Sequence, residues 1–230
     1  MYSMKDHSFS HHQTRREAFT LIEMLVVIGI IGILAALILG TAAIASSKMR
    51  RAKAEAERDA LVTAIQSYKD KKGFYPPDNA SSTILSPLFY ELTGTVVTHV
   101  GASASFQSRV SGDLLSSADI TTIFNTNGFV NSSADPSEVQ NFLPTTAKSS
   151  RTASFKVPSS GITYTLFCIT IKGPTQINTI DGKPFAPYDV WNYVSTNPTN
   201  NSGSYDLWID VLYSGKTNRI SNWSKDPEAL

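Results

Sequence analysis

From Met24 to Ala45 the chain runs 22 residues without a charged side chain. At a helical rise of about 1.5 Å per residue this measures about 33 Å, enough to cross the hydrocarbon core of a bilayer. A soluble core helix keeps a polar face, and this segment has none. It is therefore read as a transmembrane helix over residues 21–45, in which Glu23 is the only formal charge. Whatever the remainder folds into must tolerate one end held in lipid.

Past Ala45 the sequence becomes charged without losing its helical period. Met49, Ala52, Ala56, Ala60, Leu61, Ala64, Ile65 and Tyr68 recur at steps of three and four. Arg51 with Glu55, and Lys53 with Glu57, are spaced for i,i+4 pairing. Gly73 supplies a stop, reinforced by Pro76-Pro77. One helix is thus expected over residues 19–72, about 80 Å if straight. Its first half is apolar on all sides and its second half is one-sided, suited to lying under a sheet.

The polar segment before this helix carries Lys5, His7, His11, His12, Arg15 and Arg16. No apolar stretch precedes the basic pair, so it is not an ordinary secretory signal peptide. The junction Arg15-Arg16-Glu17-Ala18-Phe19-Thr20-Leu21-Ile22-Glu23 resembles the cleavage and methylation motif of the type IV pilin-like superfamily. The resemblance implies a leader over residues 1–18, cut by a prepilin peptidase between Ala18 and Phe19, with N-methylation of Phe19. Ala18 stands where the family usually has Gly and is small enough to keep processing in place. Glu23 falls where the family places its glutamate.

Elementary electrostatics gives Glu23 a role of its own. A carboxylate within an apolar span needs a partner. Cleavage would create an amine cationic at neutral pH, one helical turn away. Phe19 and Glu23 are thus read as an assembly pair, within a chain or between staggered neighbours. A first-turn glutamate also suits the helix dipole. Lys48, Arg50, Arg51 and Lys53 follow the span, and a simple charge count would put that side in the cytoplasm. The leader motif requires the opposite: leader inside, head outside.

Residues 73–230 are expected to form the globular head. Within it, 78–160 reads as a Ser-, Thr- and Asn-rich variable region. Short helices are expected over Leu85–Thr93 and Asp113–Phe124, a strand or loop over Val96–Val100, and loop over Asn127–Arg151. Ser154–Val157, Ile162–Ile171 and Tyr205–Tyr213 carry the β-branched and aromatic residues of strands. The fold class is α+β: the long helix packed against a C-terminal antiparallel sheet over about 154–223.

Tyr188-Asp189-Val190-Trp191-Asn192-Tyr193, Ser204-Tyr205-Asp206-Leu207-Trp208 and Ile220-Ser221-Asn222-Trp223 resemble the end of the major pseudopilin of type II secretion. Gly73-Phe74-Tyr75-Pro76 likewise resembles the turn that closes the pseudopilin helix. This implies a structural subunit in the bacterial inner membrane, its head periplasmic. Its partners would be copies of itself and other pseudopilins, the prepilin peptidase, the inner-membrane assembly platform, the lipid bilayer and secreted cargo. A pilin or minor pilin of an adhesion, motility or DNA-uptake fibre is the alternative, and a tethered enzyme or binding module a third.

Major pseudopilins hold calcium in the loop that here reads Val211–Arg219. Ser214-Gly215 stands where that family has Asp-Gly and Arg219 where it has an Asp, leaving Asp206 and Asp210 for a degenerate site, and no cofactor is expected. The net charge of +1 gives no basic field for nucleic acid. Gly215-Lys216-Thr217 imitates a P-loop, but its first glycine would fall on Asp210 and no helical pattern follows. His99 is the only histidine after the leader, so a histidine-based catalytic or metal site is not expected. The single cysteine, Cys168, lies in an apolar run and reads as a buried small hydrophobe. The chain is read as non-enzymatic.

Overall fold

The computed structural model describes residues 19–99, 104–144, 152–157 and 159–230. The expected leader, with Ala18, lies outside them, as do Val100 and residues 145–151 of the expected loop. The chain divides into two compact units, residues 1–45 and 46–230.

Helix α1 spans Leu21–Lys72, 52 residues, and ends where the sequence places its stop. Gly73 takes φ +87° and donates its N–H to the Lys69 carbonyl at 2.7 Å. That left-handed turn is open to glycine without strain. Lys69, Lys71 and Lys72 in the last turn complement the negative end of the helix dipole.

In the second unit α1 buries Ala54, Glu57, Leu61, Ala64, Ile65 and Tyr68. The stripe from Leu61 onward follows the apolar period. Its N-terminal half differs from expectation: Met49 is 71% exposed, and Ala52 and Ala56 face solvent. The buried face runs instead through Ala54 and Glu57. Alanine marks a helix face weakly, and a carboxylate on the buried face conceals the phase.

Eleven strands occur among the described residues: β1 Thr95–His99, β2 Ser105–Ser108, β3 Leu114–Ser116, β4 Ser132–Ser133, β5 Thr152–Lys156, β6 Thr163–Ile169, β7 Asp189–Val190, β8 Asn192–Val194, β9 Asp206–Tyr213, β10 Lys216–Ser221 and β11 Glu228–Ala229. They form three sheets, ordered β3-β2-β1-β4, β5-β6-β7 and β11-β10-β9-β8. The pairings are antiparallel except for β1 with β4. The C-terminal sheet continues past Trp223 through β11, beyond the expected edge.

Helix α2 spans Leu88–Thr93 and begins after Pro87, three residues later than expected. Only the second part of Asp113–Phe124 is helical. Leu114–Ser116 pairs with β2 as β3, and α3 runs from Ser117 to Phe124. Ser116 decides that boundary: its side chain accepts from the Asp119 N–H while the Asp119 carboxylate accepts from the Ser116 N–H. This reciprocal box fixes the helix start and leaves the preceding residues free to pair.

The core joins α1, α2, α3 and the sheets through large aromatics. Tyr90 stacks on Phe129 at 4.7 Å between centroids, and Phe89 meets Phe167 edge-on. Two buried carboxylates are satisfied within it. Glu91 accepts from the Tyr68 hydroxyl and from the Val130 and Asn131 N–H groups at 2.8–3.0 Å. Asp113 accepts from the hydroxyls of Tyr90, Ser111 and Thr165. Burial nonetheless raises the Glu91 carboxyl above its ordinary range.

Candidate functional site at the N-terminal helix

The first turn of α1 is closed by its own side chains. The Thr20 N–H and hydroxyl both donate to Glu23 Oε2 at 2.8 Å, and the Glu23 N–H donates to Thr20 Oγ1 at 3.3 Å. This is a capping box, satisfying N–H groups that the helix itself cannot. Its signal, Thr20-x-x-Glu23 ahead of an apolar run, stands in the sequence, so Glu23 has a capping role there besides its charge. The carboxylate therefore already has local partners, supporting the helix-terminus role directly. The Phe19–Glu23 assembly role requires a neighbouring chain or the amine freed by cleavage.

Beyond this cap, the window Leu21–Ile38 has a mean hydropathy of 2.9 and none of it is buried within the chain. Leu21 is 84% exposed, and Ile28, Ile31 and Ile33, on different faces, are each more than half exposed. A methyl group added at Gly29 or Gly32 would meet nothing within 4 Å. So much apolar surface is stable only when lipid or other protein covers it. Phe19, the expected methylation site, is 75% exposed immediately before the cap. Ala18, the other side of the expected cut, lies outside the described residues.

In the head, the two acids left for a degenerate cation site already have partners. Asp206 accepts the N–H groups of Thr199, Asn200 and Asn201 and the Asn200 side-chain amide, at 2.9–3.0 Å. It is the staple of the 199–204 loop. Asp210 receives both Nε and Nη2 of Arg219, at 2.8 and 2.9 Å. The guanidinium also lies 5.6 Å from the Trp208 ring, which meets Trp223 edge-on. Asn222 accepts the Leu207 N–H and donates to the Tyr205 carbonyl, tying the end of the chain to β9.

Cys168 is buried as expected, and its thiol is pushed up to about 12, chiefly by burial. Asp189, which entered the sequence reading only as part of an aromatic segment, is the unusual acid of the head. It is 5% exposed, and its Oδ2 is buried without a hydrogen-bond partner.

Residues 13–39 match the family model for the prokaryotic N-terminal methylation motif. The chain thus carries a prepilin signal of the type IV pilin-like kind, over the residues that form the cap and the whole of the apolar window. No curated protein matches the chain, and no solved structure matches it either.

Proposed function

We propose that this chain is a membrane-anchored structural subunit of a pilin-like filament, and specifically a pseudopilin of a type II secretion-type pseudopilus. The observation that carries the proposal is the coincidence of two features. A methylation motif covers residues 13–39, and the helix in that stretch exposes apolar side chains in every direction. An apolar rod of this kind serves as an anchor in lipid before assembly and as a packing surface between copies afterwards.

The steps follow from the residues. A prepilin peptidase cuts between Ala18 and Phe19 and methylates the Phe19 amine, leaving the leader in the cytoplasm. Residues 21–45 stay in the inner membrane while the head, residues 73–230, stands in the periplasm. On the assembly platform the span leaves lipid and packs against other subunits. There the Phe19 amine, cationic at neutral pH, pairs with Glu23. Growth of the filament pushes secreted cargo outward. The Tyr205–Trp208 segment and the Asn222-Trp223 closure, joined through Asn222, support the pseudopilin branch over a surface pilin.

Mass spectrometry of the mature protein from native membranes tests the proposal. The expected product begins at N-methylated Phe19. An intact leader would refute it. A processed chain recovered in cell-surface fibres, with secretion unimpaired by its deletion, would move the assignment to a pilin.

A further inference from the structure

A cleft of about 360 Å³ lies between residues 170–176 and residues 186–189 of the head, and the Thr170 hydroxyl on its wall accepts from Lys53 Nζ of α1 at 3.5 Å. Its size falls in the range of small-ligand sites. Pro174, Ala186, Pro187 and Tyr188 give it apolar walls, and Asp189 lines it as the one acid.

Asp189 is built into this position. The Gln176 side chain accepts from the Val190 N–H at 2.6 Å and donates to the Val190 carbonyl at 3.0 Å, which holds β7 against the opposite wall. Gly173 lies directly over the carboxylate. A Cβ there would fall 2.6 Å from Asp189 Oδ2 and would overlap the Asp210 carbonyl oxygen. The chain therefore brings bare backbone against a buried carboxylate and supplies no donor for Oδ2. Buried polar groups are almost always paired, so this orphan leaves the Asp189 carboxylate without a counter-charge, which a cation entering the cleft would supply.

We propose that the cleft binds an alkylammonium group, such as a lysyl side chain presented by a partner peptide, with the ammonium on Asp189 and the stem along Pro187 and Tyr188. A four-carbon stem suits the apolar walls, and the Tyr188 ring adds an attractive face for a cation. Lys172, exposed at the rim, can donate to a backbone carbonyl of the same peptide.

The surrounding charges set the pH behaviour. Burial, together with the charge of Asp210 on β9, pushes the Asp189 carboxyl up to about 7. Asp210 is itself held by Arg219. Cys168 on β6 stays a neutral thiol, flanked by Lys53 and Glu57 of α1. Near neutrality the group that changes state is thus Asp189. Its protonated form must lose a proton to meet an ammonium, so affinity rises as pH climbs through about 7 and falls below it.

The test is calorimetric titration of the detergent-solubilised full-length protein with Nα-acetyl-lysine methylamide between pH 5.5 and 8.5. Binding is expected to tighten with pH and to be lost for the Nε-acetylated probe. Asp189→Asn should weaken binding by about tenfold or more, the scale of a charged hydrogen bond, while leaving the melting temperature unchanged or higher. Tyr188→Ala, which keeps the carboxylate, should weaken binding at every pH. No heat of binding, equal binding of both probes, or binding undiminished in Asp189→Asn would overturn the proposal. So would Ca²⁺ taking the cleft in preference to the amine.

Discussion

Glu23 carries two physical duties that a single substitution can separate. In the structure its carboxylate closes the first turn of the helix on Thr20. In the filament proposed above it would also neutralise the amine freed at Phe19. Glutamine can reach back to a backbone N–H as glutamate does, but it carries no charge. Glu23→Ala loses both duties and Glu23→Gln only the second. If charge pairing drives assembly, both variants should be inserted and cleaved normally yet give about tenfold less filament or worse, since stranding one member of a desolvated ion pair costs several kcal/mol. Quantifying sheared filaments against membrane-held subunit checks this. Normal yield from Glu23→Gln would leave Glu23 as a helix cap alone.

The elements divide into those the sequence announces and those that only packing decides. The stop of α1 at Gly73 and strands β6 and β9 were legible, because glycine punctuation and runs such as Tyr164–Ile169 have few other uses. Strand β2, Ser-Phe-Gln-Ser, and strand β4, Ser-Ser, carry almost no signal. They are strands because β1 offers them an edge, which no local pattern reveals. The apolar span and the Phe19–Glu23 spacing could be read directly. Asp189 could not, because its isolation depends on Gly173, sixteen positions away in the sequence, approaching it in space.

Gly94 tests how tightly these elements are fitted. It ends α2 at φ +78°, and a methyl group there would overlap Val139 Cγ1 and lie 2.9 Å from the Gln140 carbonyl oxygen. Gly112 has the same φ, with nothing within 4 Å of an added methyl. Gly94→Ala should therefore cost about 2–3 kcal/mol, from backbone strain plus overpacking, and Gly112→Ala about 1 kcal/mol from strain alone. Denaturant unfolding of the two variants measures the difference. Equal losses would mean that the contact of Gly94 with Val139 and Gln140 is not closely packed.

At the scale of the whole molecule, stability and solubility belong to different units. Among the described residues the buried core lies within residues 46–230, and the exposed apolar window lies in residues 21–38. The apolar window that could make the chain insoluble thus supplies none of the buried core side chains among the described residues. Helix α1 crosses the boundary, and among its described residues the buried stripe begins at Ala54. Removal of residues 1–45 should therefore yield a soluble, monomeric protein that keeps α1 from Ser46 onward. Its unfolding free energy should stay within about 1 kcal/mol of the head in the full chain, because frayed solvent-exposed turns contribute little. The full chain should need detergent and should self-associate without it. Sedimentation and far-ultraviolet circular dichroism of the truncated protein check both expectations. A truncated head that aggregates or melts early would mean that the apolar segment completes the fold, and that anchoring cannot be its main task.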